Sequence, residues 1–216
     1  MRMVPRQMRW LDRDYFLRAR EKWGKVTGIP DQRVFFLQSA LQSLVNVPGD
    51  IAECGSRFGR STLFLAETAQ GDRDLHIFDS FEGLSDADPE KDPGVNSFKS
   101  GGDIRKFKIR NLDAVFERFS HYPNIHVHQG WIPERFNEVA DKEFALVHVD
   151  VDLYQPTFDT LQFFWERLNP GGMVICDDYG SEGYPGAKSA FDEFFEKTSE
   201  KPVELPAGQA FVVKCH

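Results

Sequence analysis

Residues 144–180 place the strongest constraint on how this chain can fold. The stretch contains two apolar runs, and each ends in a pair of aspartates, Asp150 and Asp152 after the first and Asp177 and Asp178 after the second. An apolar stripe with helical spacing separates the runs and ends at an Asn-Pro-Gly-Gly turn. Two parallel strands joined by a crossover helix would bring the four carboxylates to one sheet edge, which predicts a site for a divalent cation.

Short apolar runs alternate with helical patterns along the rest of the chain. The predicted strands are residues 50–54, 75–78, 125–129, 144–149 and 173–176, followed by a hairpin at 203–205 and 209–213. The predicted helices outside the opening stretch are residues 11–22, 34–45, 59–69, 112–119 and 187–197. This alternation indicates an α/β fold, a Rossmann-like doubly wound sheet of seven mainly parallel strands with a terminal antiparallel hairpin.

The length of the chain allows one domain with a complete hydrophobic core, so we expect a single domain over residues 1–216. The helices predicted before the first strand place an N-terminal helical cap or lid at residues 1–48, with packing on the sheet edge as the open alternative. Residues 80–108 are polar and rich in glycine and proline. Because this is long for a loop in a compact domain, we expect a flexible loop on the substrate side.

Composition argues against several classes of partner. The formal net charge is −8 and no block of basic residues occurs, so a nucleic-acid or anionic-membrane partner has no electrostatic support. No apolar run reaches membrane-spanning length, and the N-terminus lacks the apolar segment of a secretory signal. The three cysteines have no metal-ligand spacing and suit a reducing compartment. We therefore expect a cytoplasmic protein with a small-molecule partner, and a homodimer is one candidate oligomeric state.

A glycine turn follows the first predicted strand. Glu53 lies just before the turn, Gly55 permits a tight turn, and a helix that begins near Gly59 presents free N–H groups to an anionic ligand. With two glycines four positions apart, the pattern is neither the three-glycine dinucleotide fingerprint nor the lysine-containing P-loop. The turn therefore favours a ligand smaller than a dinucleotide.

Asp79 ends the second predicted strand and is placed to accept hydrogen bonds from both hydroxyls of a ribose. With Glu53 close to the cationic part of the ligand, this pair suits S-adenosylmethionine. Arg57 and Ser61 are candidates for contact with the carboxylate end of that cofactor. The alternative interpretation is an ordinary βαβ crossover whose acidic strand ends are solvated.

The third predicted strand carries His126 and His128 and is followed by Gly130 and Trp131. Folds of this kind contact adenine at that position, so Trp131 either stacks on the base or packs in the core. Together with His148 and Asp150, which are also two positions apart on one strand, the two histidines could suggest zinc. In the expected sheet order, however, the first and second strands separate the third from the fourth. The side chains should then not converge, which favours packed or exposed histidines.

Four segments in this order resemble the macrocin O-methyltransferase family: ECGSRFGRS, IFDSFEGL, HVDVDLYQPT and ICDDYG. The resemblance spans residues 50–194 and implies a class I methyltransferase fold. It also implies Mg²⁺-dependent methylation of a sugar hydroxyl, or of a hydroxyl on another small natural product, with S-adenosylmethionine as the donor. The chain is shorter at its N-terminus than the family pattern, so the resemblance leaves the acceptor open.

The resemblance assigns roles to the aspartates as well. It implies that Asp150, Asp177 and Asp178 are the Mg²⁺ ligands and that Asp152 is the general base, with the division of labour between Asp150 and Asp152 left open. The more distant catechol-type enzymes carry a lysine shortly after the first metal aspartate, and residues 151–154 contain none. A nucleotide-linked dehydrogenase and a non-catalytic S-adenosylmethionine-binding protein remain as alternatives, which the missing third glycine and the retained carboxylates respectively disfavour.

Overall fold

The computed structural model describes residues 6–95 and 108–216, and these contain seven strands and six α-helices. The strands are β1 Asp50–Cys54, β2 Leu75–Asp79, β3 Ile125–Gln129, β4 Phe144–Val149, β5 Leu168–Cys176, β6 Val203–Glu204 and β7 Ala210–Val213. The helices are α1 Asp14–Trp23, α2 Asp31–Ser43, α3 Arg60–Ala69, α4 Asp113–Phe119, α5 Tyr154–Arg167 and α6 Pro185–Glu196. Short 3₁₀ helices lie at Arg6–Asp12 and Phe136–Val139.

The strands form one sheet in the order β3-β2-β1-β4-β5-β7-β6. Neighbouring strands from β3 to β5 are parallel, whereas β7 pairs antiparallel with both β5 and β6. The predicted doubly wound sheet with its terminal hairpin is therefore confirmed. Strand order reverses between β1 and β4, and ligands of such sheets bind beyond the carboxyl ends of the strands at that position.

Helices cover both faces of the sheet, as buried parallel strands require. Leu37 of α2 and Leu65 of α3 are fully buried on one face. Phe164 of α5 and Phe191 of α6 are fully buried on the other. The central strands are consequently held rigidly between two apolar layers, and the residues that follow them have fixed starting positions.

The N-terminal helices pack beside the site rather than apart from the domain. Phe16 of α1 is fully buried, and its ring centroid lies 6.0 Å from that of Phe64 on α3. The connection between α1 and α2 brings Gly28 and Ile29 to the central cavity described below. The N-terminal region thus contributes residues 28, 29 and 33 to the cavity wall, while the predicted role of residues 1–48 as a lid stays a prediction.

One strand boundary differs from the sequence-based expectation. β5 begins at Leu168, five residues before the predicted start, because the segment expected to form only a turn also pairs with its neighbours. Leu168 pairs with Phe144, and the backbone of Gly171 and Gly172 exchanges hydrogen bonds with that of Lys214. No helix in the part of the chain that the structure describes is long and apolar enough to cross a membrane.

Candidate active site

A cavity of about 280 Å³ lies at the carboxyl ends of β1, β2, β4 and β5. It receives the glycine turn after β1, the end of β2, the loop after β3 and both aspartate pairs. The sequence-predicted residues that line it are Gly55, Arg57, Ser61, Asp79, Gly130, Trp131, Asp150, Asp152, Asp177 and Asp178. The topology therefore brings the two predicted constellations, the cofactor side and the carboxylate side, into one space.

Glu53 and Gly59 are predicted site residues that do not line this cavity. The Glu53 carboxylate is fully buried beneath it and accepts a hydrogen bond from the hydroxyl of Thr62. Gly59 has a positive φ of 83°, and a β-carbon there would overlap the ring of Phe119. Both residues therefore support the glycine turn from outside the cavity lining, and their direct contact with a ligand stays a prediction.

Several cavity residues were missed by the sequence analysis. Arg33 lines the cavity and lies on α2. The sequence pattern there predicted a helix with a buried apolar face but no contact between this arginine and a ligand site. Residues 83–85 also line the cavity. They were not missed, because they belong to the loop at 80–108 that the sequence analysis predicted on the substrate side. Residues 96–107 of that loop lie outside the described residues.

The carboxylates of Asp150, Asp177 and Asp178 converge. One oxygen from each lies within 4.8 Å of the others. The cause is strand register, since Val149 of β4 pairs with Cys176 of β5 and the aspartates follow these residues directly. The backbone N–H of Asp177 also donates to the carbonyl of Val149 at 2.8 Å. Hard oxygen ligands in such a group are the donor set that Mg²⁺ prefers.

Without a cation, this group of carboxylates is electrostatically unfavourable. Burial, together with the negative charges of Asp177 and Asp178, raises the pKa of Asp150 well above its ordinary value. Burial and the charge of Asp177 raise the pKa of Asp178 to about 6. Each charge disfavours ionisation of its neighbours, and a divalent cation would remove that penalty. The residues present therefore fit a bound Mg²⁺.

Asp177 is the exception within the group. Burial acts to raise its pKa, but contacts with His148 and Arg33 outweigh this and lower the pKa below the ordinary value. Arg33 donates from Nη1 to Oδ2 at 2.5 Å, and Gln209 donates from Nε2 to Oδ1 at 2.7 Å. These donors hold the carboxylate in one orientation, as hydrogen-bonded partners commonly do for metal-ligating groups.

His148 connects the two sides of the site beneath the cavity floor. Its Nδ1 lies 3.0 Å from Glu53 Oε1, and its Nε2 lies 3.5 Å from Asp177 Oδ1, which is an electrostatic contact rather than a well-formed hydrogen bond. Burial acts to lower the pKa of His148, but the carboxylates of Asp177 and Glu53 outweigh it and raise the pKa to about 9. As the sequence analysis expected, β1 and β2 separate His148 from the histidines of β3.

Asp152 occupies an unusual backbone conformation. Its φ is +64°, and its N–H donates to Asp178 Oδ2 at 3.2 Å. Such conformations in residues other than glycine are uncommon and cluster at functional sites. Burial and the charges of Asp178 and Asp177 raise the pKa of Asp152 well above its ordinary value. A carboxylate with a raised pKa beside a cavity has the properties of a general base.

The Asp79 carboxylate organises the glycine turn. Its Oδ2 accepts the backbone N–H groups of Ser56 at 2.8 Å and Arg57 at 2.7 Å, and its Oδ1 accepts that of Phe81 at 2.6 Å. Because a carboxylate has about four acceptor sites, about one remains free. Contact with both ribose hydroxyls, as predicted from the sequence, would therefore require the release of one of these N–H groups.

Replacing Gly55 by alanine is expected to lower the free energy of unfolding by about 2–4 kcal/mol. Gly55 has a φ of +87°, and a β-carbon there would overlap the carbonyl oxygen of Asp150. Gly71→Ala is the matched control, since Gly71 has a φ of +84° with no atom close to the new methyl group. Urea unfolding should show a loss of only about 1 kcal/mol for the control. Equal losses in both variants would contradict the proposed close approach of the two strand ends.

The sequence comparisons agree with this arrangement. The family model described as Macrocin-O-methyltransferase (TylF) matches residues 8–204. The 8-demethyl-8-(2,3-dimethoxy-alpha-L-rhamnosyl)-tetracenomycin-C 4'-O-methyltransferase of Streptomyces olivaceus is 30% identical over 158 residues, covering 68% of this chain and 60% of the relative. The demethyldecarbamoylnovobiocin O-methyltransferase of Streptomyces niveus is 28% identical over 166 residues, covering 70% and 60%. The matched region thus spans about 60% of the length of these curated relatives.

A comparison with solved structures confirms the fold class. The O-methyltransferase NovP superposes with a TM-score of 0.76 at 23% sequence identity, covering 88% of this chain and 83% of NovP. At this identity the likeness establishes the class I methyltransferase fold alone.

Proposed function

The chain belongs to the macrocin O-methyltransferase family, and we propose that it transfers the methyl group of S-adenosylmethionine to a hydroxyl of a sugar or other small natural product, assisted by Mg²⁺. The observation that carries the proposal is the convergence of Asp150, Asp177 and Asp178 in the cavity that also receives the glycine turn. The names of the two curated relatives refer to a rhamnosyl tetracenomycin and to demethyldecarbamoylnovobiocin, which supports a natural-product acceptor.

The cofactor would occupy the β1–β2 side of the cavity. Asp79 has about one acceptor site left for a ribose hydroxyl. Trp131 lines the cavity after β3, where its ring can lie against the adenine. Arg57 and Ser61 line the same cavity and suit the carboxylate of the methionine moiety. Glu53, buried beneath, would act by holding Thr62 and His148 rather than by touching the ligand.

Asp150, Asp177 and Asp178 would hold the cation. When bound, Mg²⁺ would supply Lewis acidity that lowers the pKa of an acceptor hydroxyl. Asp152, next to this group, would take the hydroxyl proton as the oxygen attacks the sulfonium methyl carbon. The bond between that carbon and sulfur breaks, and S-adenosylhomocysteine leaves. Holding donor and acceptor in contact would supply much of the remaining rate acceleration.

Calorimetry with S-adenosylhomocysteine and with NAD⁺ tests the cofactor class directly. Binding of S-adenosylhomocysteine, with none of NAD⁺, is the expected result. Binding of NAD⁺ alone would overturn the proposal in favour of a nucleotide-linked dehydrogenase. Binding without turnover on any sugar-bearing acceptor would favour the non-catalytic alternative.

Replacing Asp79 by asparagine is expected to weaken S-adenosylhomocysteine binding by roughly 10- to 100-fold, because this factor corresponds to the loss of one charge-assisted hydrogen bond. The change also weakens the hold on the Ser56 and Arg57 N–H groups, which acts in the same direction. Asp72→Asn, an exposed position before β2, is the matched control. Calorimetry in EDTA keeps the metal site out of the measurement. Unchanged affinity in Asp79→Asn would remove Asp79 from the cofactor site.

A further inference from the structure

A second group of metal-ligating side chains lies at the opposite end of the sheet from the active site. Asp50 begins β1, Asp74 precedes β2, and His76 lies within β2. One ligand atom from each lies within 4.8 Å of the others. The candidate catalytic carboxylates follow the carboxyl ends of the strands, whereas this group lies at their amino ends, so the length of the strands separates the two groups.

A chain of contacts fixes the orientation of His76. Glu138 Oε2 lies 2.6 Å from His128 Nδ1, His128 Nε2 lies 3.1 Å from His76 Nδ1, and His76 Nε2 lies 3.3 Å from Asp50 Oδ2. Each of these three contacts requires one hydrogen, but two neutral imidazoles carry only two ring N–H groups. The chain is therefore short of one positive charge, which is either a third proton or a metal ion.

Burial favours the metal ion at the His76 end. The His76 side chain is only 4% exposed, and burial disfavours a charged imidazolium at this position. If His128 donates to Glu138 and His76 donates to His128, the lone pair of His76 Nε2 faces the Asp50 carboxylate. Two acceptors then oppose each other unless a cation lies between them. A carboxylate that orients a histidine through its second nitrogen is typical of the surroundings of metal-ligating histidines.

The ammonium group of Lys142 shows that a positive charge is stabilised beside Asp50 and Asp74. Its Nζ lies 3.2 Å from Asp50 Oδ2 and 3.5 Å from Asp74 Oδ2. The side chain is 35% exposed, so it can swing into solvent when another cation enters. The 3.3 Å between Asp50 Oδ2 and His76 Nε2 matches the separation of about 3.4 Å between ligands in a tetrahedral zinc site.

We propose that Asp50, Asp74 and His76 bind a divalent transition-metal ion of the zinc type, with water completing its coordination. An imidazole with two carboxylates suits Zn²⁺ or Co²⁺ better than Mg²⁺, which separates this site from the one at Asp150. His126 Nε2 lies 3.1 Å from Asp74 Oδ1, so Oδ2, the oxygen that Lys142 contacts, is the one offered to the ion. The ion would join the beginnings of β1 and β2, so metal binding should stabilise the fold.

Zn²⁺ titration of the full chain in excess Mg²⁺ tests the proposal, because the Mg²⁺ keeps the Asp150 site occupied. The parent protein should carry Cys215→Ser, which removes the exposed thiol as a competing ligand. One Zn²⁺ should bind per chain and raise the melting temperature. His76→Asn should weaken that binding by roughly 100-fold or more, and Glu138→Gln by roughly 10-fold, as expected for a ligand and for its hydrogen-bonded support.

Lys142→Met keeps the proposal falsifiable if His76→Asn fails to fold. Removal of the competing ammonium should tighten Zn²⁺ binding several-fold, whereas a site elsewhere would not respond. His121→Asn, an exposed histidine on another loop, should leave the affinity unchanged. The proposal is overturned if no Zn²⁺ binds under excess Mg²⁺, or if Lys142→Met and Glu138→Gln bind it as the parent does. The missing charge would then be a proton shared by His76 and His128.

Discussion

Replacing Asp150 by asparagine is expected to reduce Mg²⁺-dependent methyl transfer by roughly 1,000-fold or more, since a metal supplies several kcal/mol of stabilisation to the transition state. Asp150 lines the cavity, and its carboxylate meets those of Asp177 and Asp178. The amide that replaces it keeps the shape of the side chain but removes one negative charge from the cation site. Affinity for S-adenosylhomocysteine should stay within about twofold, because the proposed cofactor contacts come from residues that follow β1, β2 and β3.

The measurement has two parts. Release of S-adenosylhomocysteine with a rhamnosylated acceptor reports turnover, and Mn²⁺ binding followed by electron paramagnetic resonance reports the cation site without an acceptor. Asp141→Asn, an exposed position before β4, is the control and should behave as wild type in both. Turnover that continues unchanged in Asp150→Asn, or in EDTA, would rule out the metal-assisted mechanism.

The convergence of the aspartates could be predicted from the sequence because strand geometry determines it. A crossover helix between two apolar runs makes the strands parallel neighbours, and whatever follows the last residue of each strand is then delivered to the same edge. Asp150 and Asp177 follow paired residues of β4 and β5, so their positions depend only on pairing and register. The glycine turn after β1 reaches the same edge for the same reason.

Arg33 and Glu53 show where prediction from the sequence ends. Arg33 lies 144 positions from Asp177 in the chain, and their contact depends on how α2 packs on the finished sheet. An arginine on an amphipathic helix carries no local signal for such a contact. Glu53 precedes the glycine turn as expected, but strand alternation directs its side chain to the face where His148 and Thr62 lie. The direction of a side chain at a strand end is set by this alternation, which the motif alone does not express.

Replacing Asp152 by asparagine is expected to lower the turnover number by roughly 100- to 10,000-fold, the range for the loss of a general base. Asparagine tolerates the positive φ of this position better than most residues other than glycine, so the variant should keep the fold. Mn²⁺ binding should persist, because the Asp150, Asp177 and Asp178 oxygens of the proposed cation site are retained. This outcome separates a general base from a metal ligand, since Asp150→Asn should lose turnover and Mn²⁺ binding together.

The pH profile gives the same assignment a second, independent test. Burial and the neighbouring carboxylates raise the pKa of Asp152, and a base is active only when it is deprotonated. The wild-type rate should therefore rise with pH through a value above the ordinary range for aspartate, and this limb should be absent in Asp152→Asn. A bound cation lowers that pKa again, so the limb should shift to lower pH as the Mg²⁺ concentration increases. If the limb persists in Asp152→Asn, another group takes the proton. If Asp152→Asn instead loses Mn²⁺ binding, Asp152 belongs to the cation site.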